Sequence, residues 1–301
     1  MKKQTKVWLL VATSLILCGC LLFTGVMTML NWKFSKLSTV TYETNRYEMQ
    51  EAFQNITINT QTAKVELVKG DVRLPTVTCY ENQKMKHRVS VTNNTLEIQM
   101  ENQKKWTDYI GIDFGKATIT VILPREQYGS LTIKNTTGNI LVGDQLQFEA
   151  VTIAQTTGNV EMKNNGVKSL TINLTTGKLT LTHLQCQGDL TLKSRTGTKI
   201  LENVTCNNLT ENGTTGKTTM VNVVAHGKLT AKHTTGNITL SQCDADSLTL
   251  KTTTGTIQGS LLSPKLFTAK TTTGKINLPQ STTGGVCQIN TTTGNITFTI
   301  Q

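Results

Sequence analysis

Residues 291–301 read TTTGNITFTIQ, residues 271–278 read TTTGKINL, and residues 252–257 read TTTGTI. Each has a Thr-Thr-Gly turn signal followed by a short alternation of apolar and polar residues. Working back along the chain, the glycines of this signal are Gly138, Gly158, Gly177, Gly197, Gly216, Gly236, Gly255, Gly274 and Gly294, and a threonine precedes each. The spacing is 19 or 20 residues throughout. A fixed period of that length marks a stacked, solenoidal architecture.

The register extends beyond the turn. Seven residues before the glycine stand Val151, Leu170, Leu190, Leu209, Leu229, Leu248, Phe267 and Cys287. Five before it most units again carry an aliphatic, and two after it stand Ile140, Val160, Leu179, Ile238, Ile257, Ile276 and Ile296. Apolar and polar residues thus alternate on both sides of the turn, the period of a half-buried strand. The expected fold is all-β: a parallel β-solenoid with coils of 19–20 residues, preceded by one N-terminal transmembrane helix. The glycines are its structural turns, because they accept backbone angles that a side chain resists. Two units depart from the pattern. In RTGTKI the apolar residue arrives late, at Ile200, and in TTGKTTM it gives way to Thr218, so both coils are expected to be irregular. The extra TTG at 282–284 falls between units.

Low aromatic content, 5%, and 37% hydrophobic residues suit many thin layers and not one thick core. The chain divides into 1–32 (cytoplasmic tip and anchor), 33–46 (linker), 47–130 (irregular N-terminal β coils) and 131–301 (regular repeat). From Val7 to Trp32 no residue is charged, whereas Lys2, Lys3 and Lys6 precede the run. A span needs about 20 apolar residues. The reading is a single-pass cell-membrane protein with its N-terminus cytoplasmic and its bulk extracellular. A cleaved signal peptide is the alternative, and LCGC at 17–20 partly matches a lipoprotein box, but the apolar run continues past Cys20.

A single anchor, then ITVILPREQYGSLTIKNTTGNI, then repeated TTGNI and TTGKI units resemble the DUF4097 family of adhesin-like β-strand-repeat proteins of the bacterial envelope, over roughly 47–301. The resemblance implies a β-solenoid and an exterior location, and brings no catalytic residues.

No catalytic, cofactor or metal cluster is expected. The four histidines fall in no motif with Ser or Cys, and His233 reads as a tolerated substitution at a pre-turn position. Asp244 and Asp246 lack a third acid for a cation site, and acids are too scattered for glycoside hydrolysis. Cys186 and Cys206 stand nine residues after their glycines in adjacent coils. They are either aligned core thiols or a disulfide.

The net charge of +11 favours anionic partners outside the membrane, with nucleic acid excluded by the absence of a recognition motif. The binding candidates are Lys193, Lys232, Lys251 and Lys270, four before the glycine, with Thr191, Thr230, Thr249 and Thr268, six before it. Three of these lysines are expected in successive coils. The function expected is a non-enzymatic envelope binding or scaffolding protein whose Thr/Asn/Lys face contacts anionic polymers or lipids. The alternatives are an accessory of a membrane stress-response system without its own ligand, and an adhesin for other cells. Lysines that merely guard a solvated face are the bland reading, and an ice-binding surface is disfavoured by the charge. The apolar ending ITFTI is expected to leave an open edge through which the protein self-associates.

Overall fold

The computed structural model describes residues 3–301 except 110–112 and 114. Helix α1 (Lys3–Met29) carries a 26-residue segment, Gln4–Met29, of mean hydropathy 2.3, long and apolar enough to cross a membrane or to serve as a secretion signal. The rest is a β-solenoid of about 9 turns.

Each repeat contributes two strands meeting at the Thr-Thr-Gly corner, and every pairing among the repeats is parallel. The column seven before the glycine runs unbroken through Leu131, Val151, Leu170, Leu190, Leu209, Leu229 and Leu248, all buried. At roughly 1.5–3 kcal/mol per buried aliphatic, several such columns offset the entropy of ordering each coil.

The corner explains the glycine. At Gly197 φ is +147°, and a Cβ there would lie 1.8 Å from the carbonyl oxygen of Gly177 in the coil below. In several repeats the residue three before the glycine points inward and donates to a carbonyl of a neighbouring corner. Asn135 reaches Ala63 O (2.9 Å), Thr252 reaches Gly236 O (3.1 Å) and Thr291 reaches Gly255 O (3.0 Å). Where asparagine follows the glycine, its Oδ1 accepts the amide of the next coil, as Asn159 does from Lys178 (3.0 Å). The Thr-Thr-Thr-Gly-Asn string is therefore a corner in which buried polar groups have partners. A second corner stacks left-handed residues six after the glycine: Asn164, His183, Asn203, Asn222 and Gln242, with φ between 52° and 54°. Asn222 donates to Asn203 Oδ1 at 2.7 Å. Asparagine tolerates this conformation better than most side-chain-bearing residues.

The N-terminal third closes the stack. We label β1 (Tyr42–Glu48), β2 (Asn55–Lys69), β3 (Thr76–Asn82), β4 (Met85–Thr92), β5 (Thr95–Asn102) and β6 (Ala117–Leu123). β2 forms a coil of the stack, in register with Leu131 at Ile56 and with Ile140 at Val65. Beyond it β5 and β6 pair with its two halves, and antiparallel partners extend both: β4 on β5, and β3 then β1 on β6. β5 and β6 thus continue the parallel stack as one longer, interrupted coil, and β1, β3 and β4 close it as an antiparallel cap.

At the opposite end the chain order is exchanged. Strand Gly285–Thr293 pairs with the strand containing Leu248 on one side and with Lys265–Thr273 on the other. The last strand, Ile296–Ile300, lies between Ile257–Leu261 and Ile276–Asn277. The C-terminal coil is thus internal, and the expected open edge at ITFTI is corrected. The free edge belongs to the preceding repeat, residues 265–277, where Leu266 and Ile276 are exposed. Lys270 and Lys275 are also exposed there, and charge of this kind discourages edge-to-edge pairing.

At the corner the two units expected to be irregular keep register, with Leu179, Lys199, Thr218 and Ile238 in one column, and the second shifts register further on, between Ala225 and Lys228. What changes is the chemistry. Lys199 occupies the inward position at 1% exposure, and Ile200 is half-buried beside it. Lys199 Nζ lies 2.8 Å from Oε1 of Glu211 and donates to Ser194 Oγ at 2.5 Å. His233 Nε2 lies 3.1 Å from Glu211 Oε2 and 2.9 Å from Thr218 Oγ1. His233 is therefore part of a buried ionic network, not an isolated substitution.

Candidate functional site

Where the inward residue three before the glycine is flanked by outward neighbours, the corner is concave, and stacking turns the concavity into a groove along the axis. The groove has a volume of about 920 Å³ and runs from Asn59–Gln61 of β2 to Lys251 and Thr253. At the usual inter-strand spacing of about 4.8 Å these eight coils span roughly 34 Å.

One bank is the column four before the glycine, including Lys134, Asn173, Lys193, Asn212, Lys232 and Lys251. The other is the column two before it, threonine in most coils and Arg195 in one. The floor includes Asn135, Gln155, Ser194 and His233, all buried. No carboxylate lines the groove, whereas five cations do: Lys134, Lys193, Arg195, Lys232 and Lys251. All five are exposed, and none forms an ion pair among the described residues. Lys232 and Lys251 are directly opposite in register. Unpaired like charges held that close destabilise the sheet, so nothing in the fold itself rewards their position. The site is a linear cationic trough with hydroxyl and amide donors along its length.

Of the residues singled out from sequence, Lys193, Lys232 and Lys251 line the groove. Lys270 does not extend that row directly, because Asn290 stands between it and Lys251. The expected three successive lysines are therefore two. Thr191, Thr230 and Thr249 lie in one column through Thr210, half-buried or buried, on the strand behind the bank. Gln288 separates Thr249 from Thr268. Lys134 and Arg195 were missed. Lys134 stands at the same place in the first repeat, and Arg195 replaces the first threonine of its triplet, so repeat position alone could have found both.

Cys186 and Cys206 sit one residue past the pair Gln185 and Thr205, both buried, and both are free thiols. Burial, followed by the neighbouring Cys186, pushes the Cys206 thiol up to about 12. Asp244 is paired with Lys265 at 2.7 Å and with Ser263 at 2.9 Å, a local ion pair at the last corner.

The family described as Toastrack DUF4097 matches residues 53–299. No curated protein matches the chain. Among solved structures, one from Parabacteroides distasonis, described as a "putative lipid binding protein", has a TM-score of 0.57 at 14% identity, covering 87% of this chain and 98% of its own. One from Parabacteroides merdae, described as a "putative adhesin", has a TM-score of 0.53 at 12% identity, covering 87% and 98%. At such identities the likeness is one of fold.

Proposed function

This chain belongs to the Toastrack DUF4097 family, and on that premise we propose that it is a non-enzymatic, membrane-anchored binding protein whose groove holds a linear anionic envelope polymer. In this reading α1 stays in the cell membrane with the lysines before it in the cytoplasm, and the solenoid stands outside. The observation that carries the reading is the row of five unpaired cations along a trough without a carboxylate. Cations spaced along an axis suit a repeating anion such as a phosphate-linked polymer, and threonine and asparagine donors on the banks and behind them suit its hydroxyls and phosphate oxygens.

A phosphate-bearing lipid headgroup offers the same chemistry, and one structural relative carries a lipid-binding description. The trough is long and its banks carry mainly Lys, Arg, Asn and Thr side chains, which favours the polymer. The test is co-sedimentation of the detergent-solubilised full chain with a poly(glycerol phosphate) and, separately, with vesicles of an anionic phospholipid, at low and high salt. Salt-sensitive capture by the polymer supports the reading. Capture by vesicles alone would assign the groove to lipid, and capture by neither would leave a scaffold without its own ligand.

A further inference from the structure

We propose that Cys79, Glu81 and His87 form a binding site for one zinc-like divalent transition-metal ion, which fastens the two walls of the antiparallel cap to each other. The three residues offer a thiol sulfur, a carboxylate oxygen and an imidazole nitrogen that all lie within 4.8 Å of one another. Cys79 and Glu81 are 0% exposed and His87 is 3% exposed. Sulfur, nitrogen and oxygen donors in one small set are the ligands of zinc, at about 2.0–2.3 Å each. Thiolate and carboxylate together match the charge of a divalent ion, which a buried site requires. A solvent molecule completes the fourth position of a tetrahedron.

The topology places these side chains together. Cys79 and Glu81 alternate onto one face of β3, and His87 comes from β4 after a short turn. β3 belongs to the wall built on β6, and β4 to the wall built on β5. A bound ion would tie the two walls across the end of the stack. The surroundings already orient the ligands, as outer-shell groups do in metal sites. Thr60 Oγ1 lies 2.9 Å from His87 Nε2, leaving Nδ1 toward the cluster. Asn45 Nδ2 donates to Glu81 Oε1 at 2.8 Å, leaving Oε2 toward His87 Nδ1 at 2.6 Å. Metal binding replaces the Glu81 Oε2–His87 Nδ1 hydrogen bond: its proton is exchanged through a tautomer shift that leaves His87 protonated at Nε2, donating to Thr60 Oγ1, and the Cys79 thiol proton is released to solvent as the metal–sulfur bond forms. Burial, then the Glu81 carboxylate, pushes the free thiol up to about 12.

The test uses the full chain in detergent, stripped of metal with a chelator and dialysed against Zn²⁺ or Co²⁺. One bound zinc per chain is expected by elemental analysis, with a thiolate-to-cobalt charge-transfer band for Co²⁺. Both should be lost in Cys79→Ser and in His87→Gln, and kept in Cys243→Ser, a buried thiol elsewhere in the core. Thr60→Val should bind about tenfold more weakly. Should the Cys79 and His87 variants fail to fold, the wild-type thermal midpoint decides: zinc raises it and chelator reverses the rise. Sub-stoichiometric zinc, a cobalt band that survives Cys79→Ser, or a midpoint indifferent to zinc would overturn the proposal and leave a buried Glu81–His87 hydrogen bond.

Discussion

Leu248 stands in parallel register with Cys287, and not with Phe267, the residue one repeat along. The last coil of the sequence is inserted between its two predecessors, so the ends of the chain and of the solenoid are different places. The predicted consequence is specific. Thr249→Cys with Gln288→Cys should form a disulfide under mild oxidation, because those positions pair directly. Thr249→Cys with Thr268→Cys should not, since Gln288 intervenes. Non-reducing peptide mapping distinguishes them, and the opposite pattern would restore sequential order.

This exchange was not legible in the sequence. The repeat period is the same whether coil 265–277 lies inside or outside coil 285–300, and apolar positions match in either order. Spacing identifies the members of a column and is silent on their sequence along it. The glycine corner, the strand alternation and the core columns were legible because each follows from local chemistry: a positive φ at Gly197, or an inward Leu190. The antiparallel cap was less so, since alternation in β3 and β4 shows strands without their direction.

The ionic network in the core gives a second prediction. Lys199→Leu alone leaves Glu211 buried without its lysine partner and should cost about 3–5 kcal/mol. Replacing the set with residues that neighbouring coils carry at the same positions, Lys199→Leu, Glu211→Leu and His233→Thr, should recover most of that loss. Chemical denaturation of the three forms checks this. A single variant as stable as wild type would mean that the network contributes nothing. The sequence hid this network because Lys199, Glu211 and His233 are far apart in the repeat and meet only through stacking.

The paired lysines make function and stability oppose each other. Lys232 faces Lys251 without an acid between them, so Lys232→Gln should stabilise the fold by about 0.2–1 kcal/mol. The same change should weaken polymer capture at low salt. A variant that loses stability as well as binding would show that the lysine packs structurally.

Alkaline pH should destabilise the solenoid through its buried thiols. Burial, as the leading cause, raises Cys79, Cys206 and Cys287 from an ordinary 9.0 to about 12. In the unfolded chain these thiols ionise as pH passes about 9, while in the folded protein they stay neutral. Their contribution is therefore fully present below pH 9 and is lost as pH rises toward 12. In metal-free protein the thermal midpoint should fall over that window, and Cys206→Ala should shallow the fall. An unchanged slope in Cys206→Ala would contradict the assignment.

The most direct measurement for the central claim is a titration of the full chain with a poly(glycerol phosphate) across a salt series. It compares wild type with a form carrying Lys134→Gln, Lys193→Gln, Arg195→Gln, Lys232→Gln and Lys251→Gln. Wild-type affinity should fall linearly in log–log form as salt rises, and the groove variant should lose both the affinity and most of that slope while keeping its strand-rich circular dichroism. A folded groove variant that binds the polymer as tightly as wild type, with the same salt slope, would contradict the account.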